Sequence, residues 1–286
     1  MKTYYNILKS ILFVTILYSC TEDIELKLKG HGTRMLVVEG QITSDTTAHW
    51  IKLSYTADYF NTEEESVENA VVSISDGTNI FALTESPTTP GLFFTAPDIY
   101  GIPGLTYTLT ISGIDTDEDG ETEVYHAEST MPSAVYMDKI ALSIEHIFFT
   151  DVLRISFDAQ EPGEERNAYL FKVSYNGVMV TDTVYEWGYA HDEWYNGFAI
   201  VDEPVFYLDQ KEEQYVINNG DIVTVEFSNI PVDYCYFLSE VVQEYYGSSP
   251  FSGNPANVRT NISGPRKAWG FFSAYHTHRL AARFEE

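Results

Sequence analysis

The segment Asp115-Thr116-Asp117-Glu118-Asp119-Gly120 places acids at positions 1, 3 and 5 of a turn and glycine at position 6. Hard cations such as Ca2+ are held by oxygen ligands at that spacing, and the backbone carbonyl of Glu121 would supply position 7. Position 12, where a bidentate glutamate closes a calcium loop, holds His126. Asp115, Asp117 and Asp119 are therefore candidates for a weak Ca2+ site, with an acidic hairpin turn as the simpler reading. No other cofactor is expected. His276 and His278 stand two apart. In a strand that spacing puts both imidazoles on one face, where an added carboxylate or histidine would complete a Zn2+ or Cu2+ site. His191-Asp192-Glu193 is a weaker combination, because adjacent residues seldom share one metal.

A second set is aromatic. Tyr185, Trp187, Tyr189, Trp194 and Tyr195 crowd a short segment that also holds Gly188, Gly197 and Phe198, without a clean period of two. Aromatic side chains in such a loop give large contact area at low entropy cost, which suits sugar rings or a partner surface. The alternative is a loop folded onto its own core. These five residues are the candidate ligand-binding set. Enzyme signals are thin. There is no Gly-x-Ser-x-Gly elbow, His-Glu-x-x-His pair or phosphate loop. Carboxylates are many, but no two stand out as a glycosidase pair. The chain is expected not to be an enzyme.

Cys20 carries a different chemistry. It follows the apolar run Ile11 to Leu17 through Tyr18-Ser19, and Lys2 and Lys9 precede that run. A basic start, a short apolar stretch and a small residue before the cut make a secretory signal. The run is too short to span a bilayer, which needs about 20 apolar residues. Leu17-Tyr18-Ser19-Cys20 resembles a bacterial lipobox, in which the cysteine is acylated and becomes the first residue. The expectation is a signal peptide over 1–19 and an acidic tether over 20–33 that begins Thr21-Glu22-Asp23. Several acyl chains on one cysteine give stable anchoring. An acidic cluster beside the lipidated cysteine resembles the signal that sends lipoproteins to the cell surface.

Removal of residues 1–19 takes two lysines and no acid, leaving 14 basic and 43 acidic residues. That balance argues against nucleic acid or an anionic membrane surface as partner, since both need basic patches. Once Cys20 is acylated only Cys235 remains, so no intramolecular disulfide can form. The fold must rest on an ordinary core, and Cys235 is expected as a small buried hydrophobe.

With 21 tyrosines and 17 phenylalanines alongside plentiful valine, isoleucine and threonine, the composition favours strands. Strands are expected over 35–42, 49–54, 70–75, 80–84, 105–111 and 123–130, with a loop over 61–68 and a hairpin turn at Asp76-Gly77-Thr78-Asn79. Leu105 to Ile111 alternates apolar residues with threonine, so one face is buried and one is wet. Pro103-Gly104 followed by Tyr107 resembles the tyrosine corner of immunoglobulin-like and fibronectin-type sandwiches. The expected architecture is mainly β: an immunoglobulin-like sandwich over 34–131, then a second β-rich domain over 132–286 with one packed amphipathic helix. That domain has strands near 139–144, 152–157, 169–175 and 221–230, and its tail from 268 to 284 reads as a last strand or hairpin. The helix is expected over 232–246, where Tyr234, Phe237, Leu238, Val241, Val242 and Tyr245 form one apolar stripe. Pro231 and Gly247 serve as its start and stop signals.

The order of segments resembles a known family. It comprises Leu36-Val37-Val38-Glu39-Gly40-Gln41-Ile42-Thr43, Val71-Val72-Ser73-Ile74-Ser75-Asp76, Gly101-Ile102-Pro103-Gly104-Leu105 and Pro250-Phe251-Ser252-Gly253-Asn254-Pro255. Together with the lipobox this resembles the DUF4249 family of Bacteroidetes lipoproteins, a domain of unknown function. After Gly264 this chain reads Pro265-Arg266-Lys267-Ala268-Trp269-Gly270-Phe271, less glycine-rich than the family's join. The resemblance implies a surface-exposed outer-membrane lipoprotein whose neighbours include TonB-dependent receptors, and it implies no catalytic residues. The leading expectation is a non-enzymatic accessory or substrate-capture subunit of a TonB-dependent transporter. An adhesin or glycan-binding module and a surface hydrolase are the alternatives.

Overall fold

The computed structural model describes residues 34–57, 64–163, 165–192, 196–246 and 258–285. Cys20, Trp194 and Tyr195, the tether, Gly247 and the Pro250 to Asn257 segment lie outside the described residues. Strands β1 (Leu36–Thr43), β2 (Trp50–Tyr55), β3 (Glu65–Ser66), β4 (Val71–Ser75), β5 (Ile80–Ala82), β6 (Thr84–Glu85), β7 (Leu92–Phe94), β8 (Thr106–Ile114) and β9 (Glu123–Thr130) come first. Then follow β10 (Met137–Ile147), β11 (Thr150–Gln160), β12 (Ala168–Tyr175), β13 (Val178–Met179), β14 (Gly188–His191), β15 (Ala199–Asp209) and β16 (Ile222–Ile230). The helix α1 (Val232–Tyr245), β17 (Ile262–Ser263) and β18 (Trp269–Arg283) complete the order. The chain is mainly β, as its composition requires. No helix among the described residues is long and apolar enough to cross a membrane.

β18 is the spine. Its first half runs parallel to β1, from Val37 against Trp269 to Thr43 against Tyr275. Its second half runs antiparallel to β16, from Asn229 against His276 to Ile222 against Arg283. One long sheet results, in the order β13-β12-β16-β18-β1-β2-β7-β6, with β14 beside β12 and β3 beside β2. A five-stranded sheet (β17-β9-β8-β4-β5) and a three-stranded sheet (β10-β11-β15) stand apart from it.

Period two decides which face each residue serves. Phe272 and Ala274 of β18 enter a core with Leu36, Val38, Ile51, Tyr107, Leu109 and Ile111, between the long sheet and the five-stranded one. Leu280 and Ala282, on the same face of the same strand, pack with Leu153, Ile155, Phe171, Val225 and Phe227 under the three-stranded sheet. Two sandwiches therefore share one long sheet. Residues 33–286 group as one compact unit, and β18 supplies core residues on both sides of position 131.

The tyrosine corner is present: the Ile102 amide donates to the Tyr107 hydroxyl at 2.7 Å. The 61–68 loop expectation is modified, because Glu65–Ser66 pairs with β2. The eleven-residue β15 has no counterpart among the expected strands. Pro204 interrupts its sequence, and its pairing with β11 shifts register twice. An edge strand tolerates a proline that a central one would not, and β15 is the edge of its sheet.

α1 covers the outer face of the long sheet. Cys235 and Leu238 are buried there with Ala168, Leu170, Ile230 and Tyr275. Each fully buried aliphatic side chain of this kind contributes about 1.5–3 kcal/mol. Asp233 in the first turn suits the positive end of the helix dipole.

Candidate functional site

Between α1 and the long sheet lies a cleft of about 600 Å3, within the range of small-molecule sites. Its floor is the outward face of β1 (Val37, Glu39, Gln41) and the start of β18 (Trp269, Phe271). Tyr234 and Phe237 project from α1 onto that floor, with ring centroids 5.3 and 5.2 Å from Phe271. Trp50 closes one side and Trp187 another. Three of the chain's four tryptophans thus line one cleft, each half-buried.

Charge in the cleft is unevenly compensated. Glu39 lies 3.8 Å from Lys52. Lys172 projects from β12 on the helix side, beside Ala168 and Leu170, and its Nζ sits 4.1 Å from the centre of the Trp187 ring. Burial holds the Lys172 ammonium below its ordinary range; Glu226 opposes the shift and Arg279 adds to it. Lys267 places a second ammonium 3.7 Å from the Trp269 ring.

The candidate aromatic residues separate. Gly188–His191 is a strand that pairs with β12, so this part of the segment is not a free loop. Trp187 and Tyr189 pack beside Cys235 and Leu238, and the Trp187 indole donates to the Thr181 carbonyl at 3.1 Å. Tyr185 stacks on Tyr245 of α1 at 4.4 Å. Only Trp187 of the five reaches the cleft among the described residues. Sequence reasoning missed Trp50, Trp269 and Lys172, which lie far apart in the chain. The helix stripe did give Tyr234 and Phe237, but as core.

The acidic turn does gather its carboxylates. Ligand atoms of Asp115, Asp117 and Asp119 all lie within 4.8 Å of one another. Amides already use them: Gly120 and Asp119 donate to Asp115 at 2.8 and 3.2 Å, and Glu121 to Asp119 at 2.8 Å. The Gly120 bond is the largest cause holding the Asp115 carboxyl below its usual range. Asp117 is paired with Arg266, which also holds Glu123 at 2.6 Å. His126 faces Thr110 across the ladder at 3.2 Å instead of closing the turn. The cluster is the cap of a hairpin, cross-linked by an arginine.

His276 and His278 do share a face, at the seam between the two small sheets. Tyr136 meets both rings edge-on, at 5.1 and 5.2 Å. No third histidine, cysteine or carboxylate joins them among the described residues. Burial, then His278, lowers the His276 pKa. Cys235 is buried, and burial pushes its thiol up to about 11, which keeps it protonated and weakly nucleophilic at neutral pH.

Among the described residues two carboxylates are buried outright: Glu161 and Asp192. Asn167 donates its amide to Asp192 at 2.8 Å and its side chain to Glu161 at 2.9 Å, and the Tyr169 hydroxyl also donates to Glu161. Asp192 and Tyr169 of this network also line a cavity of about 200 Å3, together with Phe157, Phe171, Tyr189 and Glu203.

The fold and cleft thus define a two-sandwich β protein with an aromatic-lined groove under its helix. A family model described as a domain of unknown function, DUF4249, matches residues 21–281, and the chain belongs to that family. No curated protein matches it.

Proposed function

We propose that this chain is a lipoprotein of the outer membrane, displayed at the cell surface, that captures a ligand in the α1 cleft as an accessory subunit of a TonB-dependent transporter. The observation that carries the capture reading is the convergence of Trp50, Trp187 and Trp269 on one concave site. Aromatic faces bind rings with little loss of side-chain entropy. The lipobox at Cys20 supports the anchored placement, and a tether raises the local concentration of binder and partner without new contacts. The role is read as non-enzymatic because the sequence carries no Gly-x-Ser-x-Gly elbow, His-Glu-x-x-His pair or phosphate loop.

Affinity capture of the tagged protein from native membranes in mild detergent tests the accessory role. A stoichiometric barrel transporter is the expected co-purifying protein. Recovery of the lipoprotein alone would move adhesion or glycan binding to the front. Cys20→Ala should release the protein from the membrane fraction, and a variant that stays anchored would overturn the lipobox reading.

A further inference from the structure

We propose that the α1 cleft selects a ligand bearing a carboxylate on a ring with an apolar face, and that Lys172 is the residue that reads the acid. The inference rests on the capture reading and adds the ligand class. Its basis is a mismatch of charges. Glu226, the cross-strand neighbour of Lys172, is taken by Arg279 at 2.7 and 3.0 Å. Arg279 also takes Asp45, at 2.7 and 3.0 Å. Glu39, the carboxylate that lines the cleft, stands 3.8 Å from Lys52, whose closer partner is Glu64 at 2.5 Å. Lys172 has no carboxylate within 4 Å among the described residues; the Trp187 face is its close partner.

A partly desolvated ammonium backed only by a π face is under-compensated. An entering carboxylate would supply the missing charge-assisted hydrogen bond. The rest of the ligand follows from the walls. Trp187 beside Lys172, and Trp269 and Phe237 elsewhere in the cleft wall, offer flat apolar contact, and Gln41 offers an amide for a neutral polar substituent. The Gln41 side chain is already held by the Tyr275 hydroxyl, which orients it. About 600 Å3 accommodates one or two rings. The ring chemistry has two sources, a sugar acid or an aromatic acid, and both present a flat apolar face to indole.

Titration calorimetry of the purified protein at pH 7 with two matched probe pairs tests this. One pair is phenyl β-D-glucuronide and phenyl β-D-glucoside; the other is indole-3-acetate and indole-3-acetamide. At least one acid should bind about tenfold or more tightly than its neutral counterpart, the scale of a hydrogen bond to a charged group. Lys172→Met should abolish that preference and leave the neutral probe unchanged, and Lys172→Arg should keep it. Binding of the glucuronide alone names the sugar acid; binding of the indole acid alone names the aromatic one. Equal binding of acid and neutral probe, an acid affinity untouched by Lys172→Met, or no acid binding at all would each overturn the proposal. The wild-type comparison stands even where Lys172→Met fails to fold. A recovered transporter with no acid preference would overturn the ligand class and leave the accessory role intact; an acid preference with no transporter would do the reverse.

Discussion

The amide of Ile102 donates to the hydroxyl of Tyr107 across 2.7 Å, tying the loop before β8 to the strand it precedes. The Tyr107 ring is buried in the first core, so its hydroxyl is the polar tip of an otherwise apolar side chain. Gly104, at φ 86°, makes the reversal between them. Tyr107→Phe keeps the ring and removes the acceptor. The Ile102 amide then loses its partner in a part-buried turn, which costs about 0.5–1.5 kcal/mol. Urea unfolding should show a lower midpoint at unchanged slope, and an unchanged midpoint would mean the corner contributes no stability.

Gly270 and Val38 are nearer still. Gly270 has φ 91°, and a Cβ built on it would overlap the Val38 carbonyl. The parallel pairing that joins β18 to β1 passes through this point. Gly270→Ala must both enter a left-handed conformation and displace backbone, not a flexible side chain. The left-handed conformation alone costs an alanine about 1–2 kcal/mol, and the overlap adds to it. Gly104→Ala meets open space and carries only the first cost. Thermal unfolding of the two variants should therefore separate them, with Gly270→Ala much the less stable or insoluble. Equal destabilisation would mean that β1 and β18 can part locally without loss.

Much of this was legible in the sequence, for physical reasons that also mark where legibility stopped. β8 alternates apolar residue and threonine from Thr106 to Ile111, and its facing and pairing over that stretch follow from the alternation. α1 announced itself by one stripe after Pro231. What the sequence did not disclose was β18's double role. Position 275 ends one pairing and position 276 begins another, yet nothing local changes there, since both halves keep period two. The cleft was hidden for a related reason. Trp50 and Trp269 open strands that are remote in sequence and come together only because β1 lies between β2 and β18. Lys172 looks like an ordinary wet-face residue until α1 is placed over that face.

Arg259 fastens α1 from outside. Its Nε and Nη2 donate to Glu240 at 3.0 and 2.9 Å, its amide to the same carboxylate at 2.7 Å, and its Nη1 to Asp233 at 3.2 Å. The guanidinium also lies 4.7 Å from the Tyr236 ring. Single exposed ion pairs are worth little, but a forked arginine that holds two turns of one helix limits its fraying. Arg259→Ala should cost about 1 kcal/mol and lower hydrogen-exchange protection over 232–245 more than elsewhere. Arg259→Lys keeps the charge but not the fork, so it should recover little of the protection. Unaltered protection in both variants would mean that core contacts of Cys235 and Leu238 alone hold the helix.

Glu161 makes stability depend on pH in a direction opposite to that of a salt-bridged acid. Burial is the main cause that raises its pKa, and Asp192 adds to it; the hydrogen bonds from Tyr169 and Asn167 oppose the shift. The folded chain therefore keeps the Glu161 proton at pH values where the unfolded chain has released it. Stability falls as pH rises from the ordinary glutamate range, about 4.5, to the raised folded value, and is level above it. Each unit of that interval is worth about 1.4 kcal/mol. Glu161→Gln cannot ionise and keeps an oxygen for Tyr169 or Asn167 and an amide to offer Asp192. The unfolding free energy of wild type minus that of the variant, measured by urea between pH 4.5 and 8, cancels the titration of groups common to both. That difference should move toward the variant as pH rises. A flat difference would mean that Glu161 ionises in the folded protein as it does in the unfolded chain.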